Sequence, residues 1–282
     1  MSSSPKSTSK EQDSLTKRTE IPQSHPRAKS LRIREKLIQH FKSGVVASAG
    51  LIAHGRGEAF DYLLGEKTTQ PALKAIEAAA ATLLTAKHPV ISVNGNAVAL
   101  ASKEIVELSK ITKAKIEVNL FHRSFEREMT IKKVLEEAGA TEVLGIGEAA
   151  SARIPEVGSE RRRVDSKGIL IADVVLVPLE DGDRTEALVR MGKKVIAIDL
   201  NPLSRTAQFA TITIVDNVVR AIPTLTEIVG KLKTKNKKKL ETIASTFDNK
   251  KNLGKAIDLI HRRLSKLAEK GVYLPILEVD EP

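Results

Sequence analysis

From residue 71 onward, apolar positions along the chain alternate between two rhythms. Leu73, Ile76, Ala80, Leu83 and Leu84 recur at steps of three and four through PALKAIEAAAATLLTAK, which predicts a helix over 71–87. Pro71 suits a first helical turn, and His88-Pro89 closes the segment. PVISVNG (89–95) is instead a short unbroken apolar run bounded by Asn and Gly, the pattern of a buried strand. The alternation continues with a helix over 98–112, a strand KIEVNLF (115–121), a helix over 125–138 ended by Gly139, and a strand EVLGIG (142–147). Beyond a polar, arginine-rich loop come strands DVVLVPLE (173–180), KVIAIDL (194–200) and ATITIVD (210–216). Helices near 183–191 and over 218–233 complete the pattern.

Strands that are apolar throughout, separated by helices, imply a mainly parallel sheet covered on both faces. With right-handed crossovers this is an α/β, Rossmann-like, doubly wound fold. Residues 27–42 form a basic amphipathic helix ahead of the sheet, and 237–270 reads as two further helices, the second LGKAIDLIHRRLSKLAE. The chain thus divides into a polar tail of disordered composition (1–20), a Rossmann-like core (21–232) and basic C-terminal helices (233–282). The apolar stripes of those last helices need either the core or a second subunit to cover them.

Composition removes several classes of chemistry. None of the 282 residues is cysteine, which excludes a disulfide scaffold, a thiolate metal site and a cysteine nucleophile. No apolar run approaches the roughly 20 residues of a membrane span, and the first twenty residues lack the apolar region of a secretory signal, so a cytoplasmic protein is expected. The net charge of +11 is uneven. Residues 231–282 carry thirteen Lys or Arg against seven Asp or Glu, with Lys235, Lys237, Lys238 and Lys239 in one run. With two tyrosines and no tryptophan there is little surface for bases to stack on, so a solvated basic helix is preferred to a nucleic-acid patch.

In open α/β sheets, ligands collect beyond the carboxyl ends of the strands. Those ends read VNGN (93–96), VNLFHR (118–123), PLEDGDR (178–184), IDLNPLSRT (198–206) and IVDN (214–217), all dense in Asn, Asp and Arg. Asp199, Asn201 and Arg205 suit a nucleotide, with Asp and Asn accepting from ribose or adenine donors and Arg meeting phosphate; an Asn-Pro turn alone also accounts for them. In GVVASAGLIAHGRGEAFDYLLGE (44–66), His54-Gly55-Arg56-Gly57-Glu58 offers an imidazole and a guanidinium around glycines that would let backbone approach a phosphate, or else a plain glycine turn. Glu180, Asp181 and Asp183 suit Mg²⁺ shared with phosphates, although Asp183 followed by Glu186 also reads as a helix N-terminal cap. Gly145 and Gly147 lack the third glycine of a dinucleotide fingerprint, and no P-loop occurs.

Six segments in this order resemble a known family. IPQSHPRAKSLRIREKL, AGLIAHGRGEAFDYLLGE, HPVISVNGN, EVNLF, ADVVLVPLEDGDRTEALVRMGKKVIAIDLNPLSRTA and TITIVDNVVRA look like the archaeal-type 4-phosphopantoate–β-alanine ligases, also called phosphopantothenate synthetases, from about residue 21 to about 232. The leader and the lysine-rich 233–239 stretch lie outside that pattern. The resemblance implies a homodimeric enzyme of coenzyme A biosynthesis. It would join 4-phosphopantoate to β-alanine through an acyl-adenylate, cleaving ATP to AMP and pyrophosphate. It also implies ATP contacts at Arg34, Arg56, Asp199, Leu200, Asn201, Arg205, Thr206, Asn217 and Val218. Around these, the expected substrate contacts are His25, Arg27, Asn94, Asn96, Arg123 and Arg184. His54, Arg56, Asp181 and Asp183 are expected in catalysis, His54 as general base and the two aspartates as Mg²⁺ ligands. The rival readings are a non-catalytic adenine-nucleotide sensor on the same core and a nucleic-acid binder using the basic C-terminal helices.

Overall fold

The computed structural model describes residues 21–271. The tail expected over 1–20, and positions 272–282 at the end of the last segment, lie outside the described residues. Three helices come first: α1 (Ala28–Lys42), α2 (Ser48–Leu64) and α3 (Gln70–Thr85). The alternating core then runs β1 (Pro89–Val93), α4 (Gly95–Thr112), β2 (Lys115–Val118) and α5 (Phe125–Glu137). A two-stranded antiparallel ribbon, β3 (Ala152–Arg153) and β4 (Arg163–Val164), follows. The core resumes with β5 (Val174–Pro178), α6 (Gly182–Arg190), β6 (Lys194–Ile198), α7 (Arg205–Phe209), β7 (Ile212–Ile214) and α8 (Val218–Leu232). Helices α9 (Lys237–Ser245) and α10 (Asn249–Lys270) end the described chain.

The five core strands form one parallel sheet in the order β2-β1-β5-β6-β7. β1 and β5 are buried along their whole length because the sheet is covered twice. Ile91, Leu176, Ile196 and Ile214 point into the larger core beneath α3, α4 and α8. Their neighbours Val90, Val175 and Val195 point the other way, against Leu188 of α6 and Ile154 and Ile169 of the ribbon segment. Each such side chain contributes about 1.5–3 kcal/mol, so this double burial is the principal stabilising term. α9 inserts Leu240 into the larger core. α10 is tied down by Asn249, which bonds Ala207 O and Ala210 O, and by Asn252, whose Nδ2 donates to Pro71 O at 3.0 Å. Among the described residues no helix is long and apolar enough to cross a membrane.

Three sequence expectations are corrected. Residues 142–147 are not a strand: Gly145 and Gly147 take φ of +79° and +55°, so the chain turns away and only Leu144 pairs with β2. A side chain at Gly145 would also crowd Val118 O. The His54-Gly55-Arg56-Gly57 stretch is not a glycine loop but the middle of α2. Two interior glycines cost a helix about 1 kcal/mol each. Ion pairs from Glu58 to Arg34 and from Asp61 to Arg220, with burial of Leu64, offset that cost. Lastly, Asp183 does not cap α6: the cap lies two residues earlier, with Asp181 as the N-cap residue and Asp183 exposed in the first turn.

Candidate active site

β1 is followed on one side by β2, and β5 on the other side by β6 and β7, so the winding direction reverses between β1 and β5. A cavity of about 670 Å³ opens at the carboxyl ends of the strands over this reversal. That is where such sheets hold ligands, because the loops diverge there and leave a crevice. Asn94 braces the crevice. Its Nδ2 donates to Pro178 O at 3.0 Å and Leu179 O at 2.8 Å, and its Oδ1 accepts from Ala97 N, capping α4. Leu179 is held at φ +57°, an unfavourable conformation for a bulky side chain that this brace enforces.

α2 forms one wall. Asn96 Nδ2 donates to Gly50 O at 2.7 Å, and a Cβ on Gly50 would overlap the Asn96 Oδ1, so glycine is required at this closest approach. His54 and Arg56 line the cavity from the next turns. Burial lowers the His54 pKa, partly opposed by Glu58, and its buried Nε2 has no hydrogen-bond partner among the described residues. The imidazole is therefore neutral at neutral pH, with its Nε2 unpaired at the wall of the cavity. Across the cavity, Asp199 accepts from Asn201 N and Ser204 Oγ, and Asn201 accepts from Leu203 N, which winds the β6–α7 connection into a compact turn. Thr206 Oγ1 fastens the turn to Glu180 O at 2.9 Å. Burial raises the pKa of Asp199.

The floor is a chain of charges. Glu180 receives Arg184 and Arg161, and Arg161 Nε lies 2.8 Å from Asp181 Oδ2. Burial raises the Asp181 pKa, opposed by Arg161. Strand β2 sets Arg161 in place: Asn119 Nδ2 donates to Arg161 O and Arg163 O, and the Glu117 carboxylate accepts from Asp165 N and Ile169 N. His122 and Arg127 close the β2 end of the cavity.

Of the residues singled out from the sequence, His54, Arg56, Asn94, Asn96, Asp181, Asp199, Leu200, Asn201, Arg205 and Thr206 line this one cavity. The others stand elsewhere. Arg34 pairs with the buried Glu58, one turn past His54 on α2, while Arg27 donates to Tyr62 Oη at 2.8 Å and the exposed His25 accepts from Arg27 N. Arg123 is buried against Glu128 and bonds Gly145 O. Arg184 is wholly buried under Glu180 and bonds Ser92 Oγ. Asn217 caps α8 and donates to Asp61, beside a buried Val218. Sequence reasoning passed over Arg127, His122 and Arg161. His122 lies in the strand-end segment 118–123, a signal that was available; Arg127 comes from the first turn of α5 and Arg161 from a loop, and only tertiary contacts bring these two in. For a divalent cation, no cluster of three or more His, Asp or Glu exists among the described residues. Of the two aspartates expected to hold Mg²⁺, Asp181 lines the cavity and Asp183 does not, which suits the ion only if phosphates supply further ligands.

A parallel sheet with a guanidinium-lined crevice at its winding reversal defines a class: an α/β protein that holds phosphate-bearing ligands. Within that class, residues 71–263 match the model of the phosphopantothenate/pantothenate synthetase family, and the chain belongs to that family. It is 54% identical to the 4-phosphopantoate–β-alanine ligase of Thermococcus kodakarensis, over 90% of this chain and 97% of that protein. The ligase of the same name from Methanosarcina mazei is 52% identical over 90% of this chain and all of its own. That of Methanospirillum hungatei is 57% identical over 75% of this chain and 86% of its own.

Proposed function

We propose that the chain is an ATP-dependent ligase that joins 4-phosphopantoate to β-alanine, giving 4′-phosphopantothenate, AMP and pyrophosphate, in coenzyme A biosynthesis. The observation that carries this reading is identity at more than half of the aligned positions with proteins named for that reaction, along 97% and 100% of their length. ATP lies over the β6–α7 turn, where Asp199, Leu200, Asn201, Arg205 and Thr206 meet Arg56 from α2; the resemblance adds Arg34, Asn217 and Val218, which stand outside the lining of that cavity. The acid extends from there past Asn94 and Asn96 towards the β2 end; Arg123 and Arg184, buried against Glu128 and Glu180, support the crevice from behind, and His25 and Arg27 stand outside its lining. Its carboxylate oxygen attacks the α-phosphorus, and pyrophosphate leaves with the bonding pair. Arg56 and Arg205 offset the charge that builds up there. Mg²⁺, held by Asp181 with Asp183 near it, would neutralise the leaving pyrophosphate. β-Alanine arrives as an ammonium, His54 takes its proton, and the free amine attacks the acyl carbon to release AMP.

The reading extends to a cytoplasmic homodimer, in keeping with the resemblance and with Ile52 and Phe125, which are 75% and 60% exposed. Purified protein incubated with ATP, Mg²⁺, 4-phosphopantoate and β-alanine, each omitted in turn, tests the activity. AMP, pyrophosphate and phosphopantothenate from the complete mixture alone are expected. ADP in place of AMP would replace the adenylate by an acyl phosphate, and ATP binding without turnover would leave a nucleotide sensor.

A further inference from the structure

We propose that Arg127 receives the phosphate of the acid substrate and is the residue by which the site separates 4-phosphopantoate from unphosphorylated pantoate; this rests on the ligase reading. Four arginines line the cavity, and their charges are not equivalent. Arg161 is neutralised by Glu180 and Asp181, and Arg205 by Glu186 at 2.6 Å. Arg56 is exposed, on the side of the nucleotide turn. Arg127 is half-buried, and among the described residues its partners are main-chain carbonyls only. Nε donates to Gly44 O at 3.4 Å, Nη2 to Val45 O at 3.0 Å and Nη1 to His122 O.

Two consequences follow from that arrangement. Three of the five guanidinium N–H groups fix the fork in space, leaving two without a protein acceptor among the described residues. A planar, immobilised pair of donors is what bidentate phosphate recognition needs. Moreover, neutral carbonyls orient a cation without cancelling its charge, and burial of the cation acts against it, lowering its pKa. An anion bound here therefore recovers a desolvation cost that the protein itself leaves standing. Gly95, the first residue of α4, lies alongside: a Cβ there would come 3.2 Å from Arg127 Nη2, so the backbone leaves room beside the fork.

Position favours the acid's phosphate over the nucleotide's. Arg127 stands at the β2 end and the nucleotide turn follows β6, three strand spacings away, or about 14 Å. The carboxylate and the phosphate of 4-phosphopantoate are at opposite ends of the molecule. A carboxylate reaching the nucleotide's α-phosphorus near the crevice centre thus points its phosphate to the β2 end.

The test is steady-state kinetics of Arg127→Gln and Arg127→Lys on 4-phosphopantoate and on pantoate, with ATP affinity by calorimetry and fold by circular dichroism. Arg127→Gln should lose about 30-fold or more in kcat/KM on the phosphorylated acid, as expected for removing one partner of a desolvated charge pair. Its rate on pantoate and its affinity for ATP should change less than about threefold, and Arg127→Lys should recover part of the loss. Equal losses on both acids, or a loss confined to ATP affinity, would overturn the assignment. If Arg127→Gln does not fold, the wild type decides: methyl phosphate must compete with 4-phosphopantoate and not with ATP, and the converse pattern sinks the idea. A wild type that makes no phosphopantothenate at all overturns the ligase reading itself, an outcome distinct from an unaltered Arg127→Gln.

Discussion

Glu117 makes a quantitative prediction possible. It is fully buried on β2, one carboxylate oxygen accepting from Asp165 N at 2.9 Å and the other from Ile169 N at 2.6 Å. Burial raises its pKa from 4.5 to about 7, against the pull of those two bonds and of Arg184. A carboxyl that binds its proton more tightly when folded stabilises the native state fully below pH 4.5, and that stabilisation is lost as pH rises through about 7. At 1.36 kcal/mol per unit, the span amounts to about 3 kcal/mol. Glu117→Gln keeps the shape and cannot titrate. Its amide oxygen satisfies one N–H, but its NH₂ faces the other, at a cost of about 1–3 kcal/mol at every pH. The wild type should therefore be the more stable protein near pH 5, and the gap should close or reverse by pH 8. Urea unfolding of both proteins at half-unit steps from pH 4.5 to 8 reads this, because groups that titrate alike cancel in the difference. A gap independent of pH would refute the reasoning. A gap that widens with pH would mean that the two N–H donors and Arg184 outweigh burial and keep the group ionised.

Three further outcomes follow from the geometry. Burial holds the His54 pKa below 6.5, so amide formation should keep its rate as pH falls past 6.5 and decline only in more acid solution. His54→Asn should cut that step about 100-fold while ATP–pyrophosphate exchange persists, and loss of both would remove its role as base. Arg184→Met leaves Glu180 with one buried partner in place of two and should cost about 3 kcal/mol in urea unfolding, whereas a cost under about 1 kcal/mol would show that Arg161 alone suffices. Gly95→Ala would drive a Cβ into the Val45 carbonyl oxygen, so it should lower stability by about 2 kcal/mol and kcat/KM at least tenfold; a variant like wild type would place the α4 start elsewhere.

The sheet was legible because its signal is local and redundant. Each strand is a short apolar run, and each crossover helix carries its own period, so β1, β5 and β6 fall inside their expected spans, each two or three residues shorter in all. What failed was decided at a distance. Gly145 and Gly147 sit in an apolar run that reads as strand, and only their positive φ, with Gly145 close on Val118 and Gly147 on Phe125, ends the pairing. His-Gly-Arg-Gly reads as a loop since glycine is a weak helix former, yet Arg34 and Arg220, from other helices, hold Glu58 and Asp61 in helical register. The strand-end rule gathered eight of the expected residues into one cavity, because topology alone brings strand ends together, and α2 adds His54 and Arg56. It could not rank them. Arg184 and Arg205 look alike in sequence, but one ends wholly buried beneath Glu180 and the other exposed at the rim.

The same contrast explains how the cavity combines a rigid floor with an open charge. Arg184, Glu180, Arg161 and Asp181 sum to zero, so their burial is compensated within the protein and they fix the crevice where β1 and β5 part. α2 is clamped near its start by Asn96 on Gly50 and near its end by Asp61 with Arg220 and Asn217. Between those clamps lie the two glycines and the two groups assigned to chemistry, His54 and Arg56. Glycine weakens the helix where the ligand must be met, and the clamps confine that weakness to the middle turns. Neutral carbonyls treat Arg127 differently, holding its fork and leaving its charge unspent. Fixed geometry with an unbalanced charge is preorganisation: the ligand supplies the missing anion and the site need not rearrange to receive it.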